Sequence, residues 1–368
     1  MTHTRETTLE INLPAIKHNY NLLKGKIKPT TKFMAVVKAY AYGSDAPKIA
    51  IFLEKLGVDY FAVAYTDEGI ALRNAGITKP ILVLHPLPVH FNEIINYRLE
   101  PSLYSFNVLE VFLEAAKNEK EYPIHLKFNT GLNRLGFVKM DIALISGKLL
   151  HQKNVYVASV FSHLGASEDL NEKDFTMRQI LSFKEIKASL AEKFSHKPLY
   201  HLLNTSGILN YTTSAQFDMV RSGIGLYGFG NDAQYDALFK TVLSLKSVIS
   251  QIHNIAPGNS IGYNQGHIAD KAMKTATIPL GHADGIGRQY GKGKAHVTIH
   301  GHKCPIVGNV CMDMLMVDVS EVQCKEGDEV LVFGKSPTAG EFAATAGTIS
   351  YELIAGISQR VRRKIITH

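Results

Sequence analysis

Residues 32–56 read KFMAVVKAYAYGSDAPKIAIFLEKL. The first seven residues form a short apolar run typical of a buried strand, and the last twelve carry apolar residues at helical spacing. A strand followed by a helix is the repeating unit of α/β folds. This stretch therefore predicts the class of the fold.

The same alternation of strand and helix continues through the first two-thirds of the chain. NVLEVFLEAAKN (107–118) is a second clear helical segment. Eight strands joined by helices favour a (β/α)8 TIM-type barrel, with an open doubly wound sheet as the alternative. The other predicted strands are YFAVAY (60–65), PILVLH (80–85), LEPSLYS (99–105), IHLKFN (124–129), VYVASVFSH (155–163), LYHLLN (199–204) and FDMVRSGIGLYG (217–228).

The pattern changes near residue 235, where helical segments give way to strands separated by Gly, Pro and Asn turns. We therefore predict a barrel domain over residues 1–235 and a mainly antiparallel β domain over residues 236–368, closed by a short helix at 348–361. The strands predicted for the second domain lie at 244–255, 273–281, 294–301, 313–320 and 328–334.

The composition indicates an ordinary globular protein. The chain has 368 residues, of which 45% are hydrophobic and 20% charged. No apolar run is long enough for a bilayer or a signal peptide, and three cysteines without a CxxC pair fit a reducing compartment. We therefore expect a cytoplasmic protein.

The net charge of +7 is not focused on one stretch, apart from RVRRK at 360–364. We interpret that cluster as a solvated terminus or a subunit contact, because a nucleic-acid site needs a concentrated basic surface. The residues His296, His300, His302 and Cys304 share strand parity, but HGHK reads as a hairpin turn that breaks their common face. We predict no metal site and no nucleic-acid partner.

Lys38 stands at the end of the first apolar run, with Tyr40 and Tyr42 behind it. In a (β/α)8 barrel this is the carboxyl end of a strand, the face where active sites lie. A lysine partly removed from water has a lowered pKa and can form a Schiff base with a carbonyl group. The alternative is a strand-end lysine whose amine simply reaches solvent.

The eighth predicted strand favours the first alternative. MVRSGIGLYG (219–228) is rich in glycine, and the loops after the last two strands of such barrels often bind phosphate through backbone N–H groups. A reactive lysine together with a phosphate site indicates a phosphorylated aldehyde cofactor, namely pyridoxal 5′-phosphate.

Taken together, the motifs resemble those of the alanine racemase family, the barrel-type (fold type III) pyridoxal-phosphate enzymes. The likeness extends from about Leu9 to Arg363, with Tyr40 where Asn is usual and Asn129 where Asp is common. The motifs occur in the expected order: AVVKAYAYG (35–43), KFNTGLNRLGF (127–137), SHLGASED (162–169), HLLNTSG (201–207), MVRSGIGLYG (219–228), IGYN (261–264), GNVCMD (308–313) and SYELIAGISQRV (350–361).

The resemblance implies a set of cofactor-binding residues around Lys38, which would carry pyridoxal phosphate. Arg221 would donate to the pyridine nitrogen, and since a guanidinium keeps its proton, the ring would stay a weak electron sink that favours rapid reprotonation of Cα. The other implied contacts are His163 near the ring, Arg134 at the phenolic oxygen and the substrate carboxylate, Asn204 beside the phosphate group, and Tyr42, Tyr351, Thr205, Gly223 and Ile224 at the phosphate.

The resemblance also implies two catalytic acid/base groups, one on each face of Cα. Lys38 would serve one face and Tyr263, from the partner of a head-to-tail homodimer, the other, although a phenol of unperturbed pKa near 10 is a poor base without nearby cations. Met312 and Asp313 would reach the substrate in the same way. His282 would stand at the entrance, where a tyrosine is usual.

Lys127 lies close to Arg134 on this interpretation, and two cations without an acid repel each other. Members of the family often carry a carbamate on that lysine, and we hypothesise the same here. The function implied is a pyridoxal-phosphate-dependent interconversion of L-alanine and D-alanine that supplies D-alanine for peptidoglycan. The alternatives are a serine or broad-specificity racemase of the same fold and a non-catalytic pyridoxal-phosphate carrier, which would lack the β domain.

Overall fold

A computed structural model describes residues 6–191, 193–194 and 196–367. The chain forms two compact units. One consists of Lys17–Ala41 and Ala46–Lys240, and the other of the residues up to Ile16, Tyr42–Asp45 and the chain from Thr241 onward. We refer to them as the barrel unit and the β unit.

Eight parallel strands close on themselves in the barrel unit, which confirms the prediction of a TIM-type barrel. Each strand pairs with the next in sequence, and β2 pairs with β9 to complete the ring. Numbered along the chain after β1 (Thr8–Asn12), the barrel strands are β2 (Lys32–Val36), β3 (Tyr60–Val63), β4 (Ile81–Val83), β5 (Glu100–Leu103), β6 (Tyr122–Lys127), β7 (Val155–Phe161), β8 (Leu199–His201) and β9 (Met219–Ser222).

Helices connect the barrel strands, as the apolar spacing at 45–56 and 107–118 predicts. Phe161 lies inside the barrel, where its ring stacks on His201, whereas the buried ring of Phe33 packs against Tyr20 of the first helix. The helices between residues 13 and 236 are Leu13–Gly25, Ala46–Lys55, Thr66–Asn74, Phe91–Asn96, Phe106–Ala115, Ile142–Leu149, Lys173–Leu190, Thr205–Asn210, Thr212–Ala215 and Ala233–Asp236.

One helical turn, Lys38–Gly43, has the opposite hand to all of these. Ala39, Tyr40, Ala41 and Tyr42 have φ values of 51°, 55°, 56° and 55°, and Gly43 follows at 77°. For L-residues the left-handed conformation brings Cβ too close to the following carbonyl oxygen. The residues directly after Lys38 are therefore held in a strained backbone.

A nine-stranded sheet, antiparallel except for one pair, dominates the β unit in the order β11-β14-β17-β16-β15-β18-β10-β1-β19. Two short helices, Ala339–Ala344 and Ser350–Ala355, follow the strands. Its strands after β1 are β10 (Leu243–Val248), β11 (Gln251–Ile255), β14 (Met273–Ile278), β15 (His296–Ile299), β16 (His302–Val307), β17 (Leu315–Asp318), β18 (Glu329–Phe333) and β19 (Arg362–Ile366), while β12 (Ser260–Ile261) pairs only with β13 (His267–Ile268).

The units differ from the predicted 235/236 division in the first residues of the chain. Strand β1 pairs with β10 and β19, so it lies in the sheet of the β unit rather than in the barrel. The basic run at 360–364 is not a solvated terminus, because its last three residues begin β19, where Lys364 Nζ lies 3.1 Å from Glu10 Oε1. The closing helix is also shorter than predicted and ends at Ala355.

Across the part of the chain that is described, no helix is long and apolar enough to cross a bilayer.

Candidate active site

Lys38 begins the left-handed turn two residues after β2 ends. Its side chain is half-buried. Burial and the nearby charge of Arg134 lower the pKa of Lys38, against the opposing effect of Glu68. The amine thus has a larger neutral, nucleophilic fraction than a surface lysine has.

A second lysine and an arginine lie close to Lys38. Lys127 is the last residue of β6 and is buried, and Arg134 is exposed on the loop that follows. Burial and the charges of Arg134, Arg221 and Lys38 lower the pKa of Lys127 to about 8. Asn129 shapes this loop by accepting hydrogen bonds from the N–H groups of Gly131 and Asn133, both at 3.0 Å.

Arg221 on β9 is buried and completes this set of positive charges. Its Nη1 donates to Nδ1 of His201 at 2.5 Å, and its Nη2 donates to the carbonyl oxygens of Ser162 at 2.6 Å and Leu202 at 3.1 Å. Burial lowers the pKa of Arg221 to about 9. A guanidinium in this position remains a donor near neutral pH.

His163 follows β7 with its Nδ1 3.4 Å from Nη2 of Arg221. Burial and the charges of Arg221, Arg134, Lys127 and Lys38 lower its pKa well below the ordinary value. The imidazole is therefore neutral. The ends of β2, β6, β7 and β9 together surround one space with positive charge, which suits an anionic ligand.

A small polar cradle lies after β8 and β9. Thr205 Oγ1 is 2.9 Å from Ser222 Oγ and accepts a hydrogen bond from the N–H of Gly225 at 3.3 Å. A Cβ on Gly225 would lie 2.6 Å from Cγ2 of Thr205, so only glycine allows this approach. Gly223 and Ile224 open the turn at the same place.

Asn204 caps the helix Thr205–Asn210 that supports this cradle. Its Oδ1 accepts from the N–H of Gly207 at 2.9 Å and from Oγ of Ser167 at 2.8 Å. The side-chain oxygen thus has two protein donors, which is the pattern of a helix N-cap.

In the β unit, the two tyrosines predicted at the phosphate lie near each other. The ring centroids of Tyr42 and Tyr351 are 6.1 Å apart. Burial and the proximity of Tyr351 raise the pKa of Tyr42, so its hydroxyl keeps its proton and can donate.

The remaining predicted residues lie on loops of the β unit. Tyr263 is 73% exposed and Met312 is 59% exposed. Asn309 joins their loops, since its Nδ2 donates to the carbonyl oxygen of Tyr263 at 2.9 Å. Both side chains line a surface groove of about 520 Å³ that also includes Asp313 and Met316.

Arg360 forms ion pairs with both the loop of Met312 and the turn that contains His282. Its Nε lies 2.6 Å from Oδ1 of Asp284, and its Nη2 lies 2.7 Å from Oδ1 of Asp313. The backbone N–H of His282 also donates to Cys311 at 3.0 Å. Arg360 was not identified from the sequence, because nothing around it marks a partner that lies 76 residues earlier.

Among the described residues, no three His, Cys, Asp or Glu side chains are arranged to hold a metal ion. His296 and His302 lie on the two strands of a hairpin, β15 and β16.

Comparison with known proteins assigns both units. The family model for "Alanine racemase, N-terminal domain" matches residues 11–230, and the model for "Alanine racemase, C-terminal domain" matches residues 242–365. The chain belongs to the alanine racemase family. The alanine racemase of Thermodesulfovibrio yellowstonii is 36% identical over 366 residues, which cover 97% of each chain.

Solved structures of alanine racemases superimpose on the whole chain. The enzyme from Clostridium difficile 630 gives a TM-score of 0.93 at 32% identity, with 100% of this chain and 97% of that chain covered. The enzyme from Bartonella henselae, described with covalently bound pyridoxal phosphate, gives 0.89 at 28% identity, with 99% and 100% covered. Membership of this family confirms the resemblance seen in the sequence motifs.

The predicted alanine racemase residues thus fall into two groups. The structure brings Lys38, Lys127, Arg134, His163 and Arg221 together in the barrel unit, and Thr205 and Gly223 lie after neighbouring strands of that barrel. Tyr263, His282, Met312 and Asp313 form a second group in the β unit. Their individual roles stay predictions.

Proposed function

We propose that this protein interconverts L-alanine and D-alanine with pyridoxal 5′-phosphate as its cofactor. The observation that carries the proposal is the half-buried Lys38, with its lowered pKa, beside Arg134, Lys127 and Arg221. An amine that is partly neutral can bind an aldehyde covalently, and the surrounding cations suit the phosphate and carboxylate groups of cofactor and substrate.

The residues present fit this cofactor. The Thr205–Ser222–Gly225 cradle offers hydroxyl groups and a close backbone approach for phosphate, and Arg221 offers a donor for the ring nitrogen. Tyr42 and Tyr351, which lie near each other, would add two phenolic donors to the phosphate. The cofactor, when bound, supplies the electron sink that acidifies the Cα–H bond of an amino acid.

The protein's own groups would then move the proton. Lys38 would hold or return a proton at one face of Cα. Tyr263 of the partner subunit does the same at the other face, and the backbone N–H of Met312 receives the substrate carboxylate. Arg134 would hold that carboxylate as well, and Arg221 would donate to the ring nitrogen, since a guanidinium does not give up its proton.

Lys127 is proposed to carry a carbamate. Its pKa of about 8 leaves part of the amine neutral at physiological pH, and the neutral amine is the form that reacts with carbon dioxide. The resulting anion would replace a repulsion from Arg134, Arg221 and Lys38 by attraction. An added carbamate mass in the native protein supports this proposal, and a free amine in a well-ordered crystal structure contradicts it.

A homodimer is proposed because the second group of predicted residues, on loops of the β unit, is exposed. Tyr263, Ile268, Met312 and Met314 are large, exposed and partly apolar, and most of them border one groove. Exposed apolar surface of this kind marks an interface with another protein. The proposed setting is the cytoplasm, where D-alanine would be made for peptidoglycan and where the three free cysteines would stay reduced.

Chiral chromatography of L-alanine after incubation with purified protein, with and without added pyridoxal phosphate, tests the function. L-Serine and L-lysine samples are included in the same experiment, and Lys38→Ala protein is the control. We expect cofactor-dependent D-alanine that disappears in the variant.

Two other results would change the proposal. Racemisation of serine or lysine but not alanine would keep the fold and chemistry and would indicate His282 and Tyr40 as specificity residues. Cofactor binding without any racemisation would overturn the role of Tyr263 and favour a carrier.

A further inference from the structure

Five buried polar side chains form a continuous hydrogen-bonded chain across the barrel interior, one from each of the consecutive strands β5 to β9. Glu100, His125, Ser159, His201 and Arg221 are at most 8% exposed. The successive donor–acceptor distances are 2.7 Å, 2.6 Å, 2.8 Å and 2.5 Å. Hydrophobic side chains dominate the core around them, so this polar chain needs an explanation.

The chemistry of the residues at the two ends fixes the direction of every hydrogen bond. A guanidinium only donates, so Nδ1 of His201 accepts from Arg221. Burial and the charges of Arg221 and His125 lower the pKa of His201 well below its ordinary value, so the ring is neutral and carries its proton on Nε2. That N–H donates to Oγ of Ser159.

The same reasoning continues to the other end of the chain. The Ser159 hydroxyl has one proton, which points to Nδ1 of His125. The remaining N–H of His125, on Nε2, donates to the carboxylate of Glu100. All four hydrogen bonds therefore run from Arg221 towards Glu100.

The charges at the two ends are opposite. Arg221 has polar contacts with the carbonyl oxygens of His201, Ser162 and Leu202, which are neutral acceptors. A buried cation without a counter-charge is costly, and a chain of aligned hydrogen bonds transmits polarisation between its ends. Glu100 thus balances Arg221 through the three side chains between them.

We propose that Glu100, acting through His125, Ser159 and His201, is the positioning residue that holds Arg221 as a hydrogen-bond donor at the cofactor ring. The last link rests on the proposed function, since it requires pyridoxal phosphate beside Arg221. The direction of the chain itself is a property of the protein alone. The two parts can therefore be tested separately.

Nitrogen-15 NMR of histidine-labelled protein without cofactor tests the direction. Signals are assigned with the His125→Gln and His201→Gln variants. We expect both rings to be neutral with the proton on Nε2. An Nδ1–H tautomer or an imidazolium at either position would overturn the proposal, whatever reaction the protein catalyses.

Ser159→Ala tests the function of the chain, since it interrupts the middle without changing any charge. Ser102→Ala is the matched control: Ser102 is fully buried on β5, the strand that also carries Glu100, and its hydroxyl has no hydrogen-bond partner in the described structure. We expect Ser159→Ala to mix the His201 tautomers in the apoprotein and to reduce kcat for alanine racemisation by about tenfold, the equivalent of one hydrogen bond. KM should change less than kcat.

The control should match the wild type in both measurements. Equal tautomers and equal kcat in Ser159→Ala and Ser102→Ala would overturn the proposal. Mixed tautomers with an unchanged kcat would overturn the positioning role. If Ser159→Ala does not fold, Glu100→Gln replaces it, because the amide oxygen still accepts from His125 but carries no charge. We then expect the His201 tautomer to be retained and kcat to fall, and an unchanged kcat would contradict the proposal.

Discussion

The barrel unit and the β unit prepare their predicted site residues in opposite ways. Inside the barrel, burial lowers the pKa values of Arg221, Lys127 and His163, and neighbouring positive charges lower those of Lys127 and His163 further. Tyr263 and Met312 are exposed on loops, and their loops are fixed through the backbone by Asn309. The barrel residues therefore have shifted pKa values within the single chain. The loop residues are exposed to solvent, and a second protein surface would be needed to bury them.

The largest expected effect on activity comes from an exposed residue of the β unit, Tyr263. Tyr263→Phe should reduce kcat for racemisation by about 10²- to 10⁴-fold, the range for loss of a general acid/base, without changing the melting temperature. Tyr40→Phe is the matched control, since Tyr40 is also exposed, at 61%, and removal of its hydroxyl should leave kcat within a factor of two. Equal kcat values in the two variants would show that Tyr263 is only a surface residue.

A substitution in the loop after β6 tests whether the backbone of the barrel unit is rigid there. A Cβ at Gly136 would lie 2.5 Å from the amide nitrogen of Asn129, and φ there is +133°. Gly136→Ala should lower the free energy of unfolding by about 3 kcal/mol through strain and overpacking. Gly57→Ala, at φ +90° with no heavy atom within 4 Å, should cost only the backbone term of about 1 kcal/mol. Similar losses in urea titrations would indicate that the loop relaxes.

The lowered pKa of Lys127, in the barrel unit, predicts that the free energy of unfolding depends on pH. Between about pH 8 and its unfolded value of 10.5, the unfolded chain binds more protons at this lysine than the folded protein does. The contribution of Lys127 to stability should therefore rise with pH through this window. The difference in unfolding free energy between wild type and Lys127→Met, measured in buffer free of carbon dioxide, should show that rise.

Addition of bicarbonate sharpens the same measurement. A carbamate in the folded protein binds no proton, whereas the lysine of the unfolded chain still titrates at about 10.5, so with bicarbonate the rise should begin below pH 8 instead of at it. A rise that bicarbonate leaves unchanged would argue against the carbamate.

The smallest expected effect concerns Tyr40 in the left-handed turn. Asparagine tolerates positive φ better than tyrosine does, and Tyr40 has φ 55° with an exposed side chain. Tyr40→Asn should raise the free energy of unfolding by about 0.5 kcal/mol. Thermal unfolding of the two proteins side by side measures it, and a lower melting temperature in the variant would show that the tyrosine ring contributes packing.

Local patterns explain why most of the fold was predictable. Barrel strands are buried on both faces and most are rich in apolar residues, and all eight were found near their observed positions. Strands β1 and β19 were missed because TLEIN is short and RRKII begins with three basic residues. Their stability depends on pairing with each other across about 350 residues, and a local sequence pattern carries no sign of such a partner.

The site was predictable to a similar extent. Lys38 stands out because it is a charged residue at the end of an apolar run. The glycines near 223–228 stand out because they interrupt an apolar segment. Glu100, His125 and Ser159 do not stand out, since no local pattern marks them and each forms its hydrogen bond only with a residue on another strand. The left-handed turn was invisible too, because alternating Ala and Tyr carry no preference for positive φ.

The left-handed turn means that this lysine motif would not keep its conformation if its sequence alone were placed in another protein. Four non-glycine residues in the left-handed conformation cost about 4 to 8 kcal/mol, which approaches the net stability of a whole domain. Within the β unit, Gly43 fits only because it has no Cβ, which would lie 1.8 Å from the carbonyl oxygen of Ile354, and its own carbonyl accepts from Nη2 of Arg363 at 2.7 Å. A designer who copied AVVKAYAYG into another barrel would import the sequence without these supports. The copied segment would then relax to right-handed backbone and direct its lysine elsewhere.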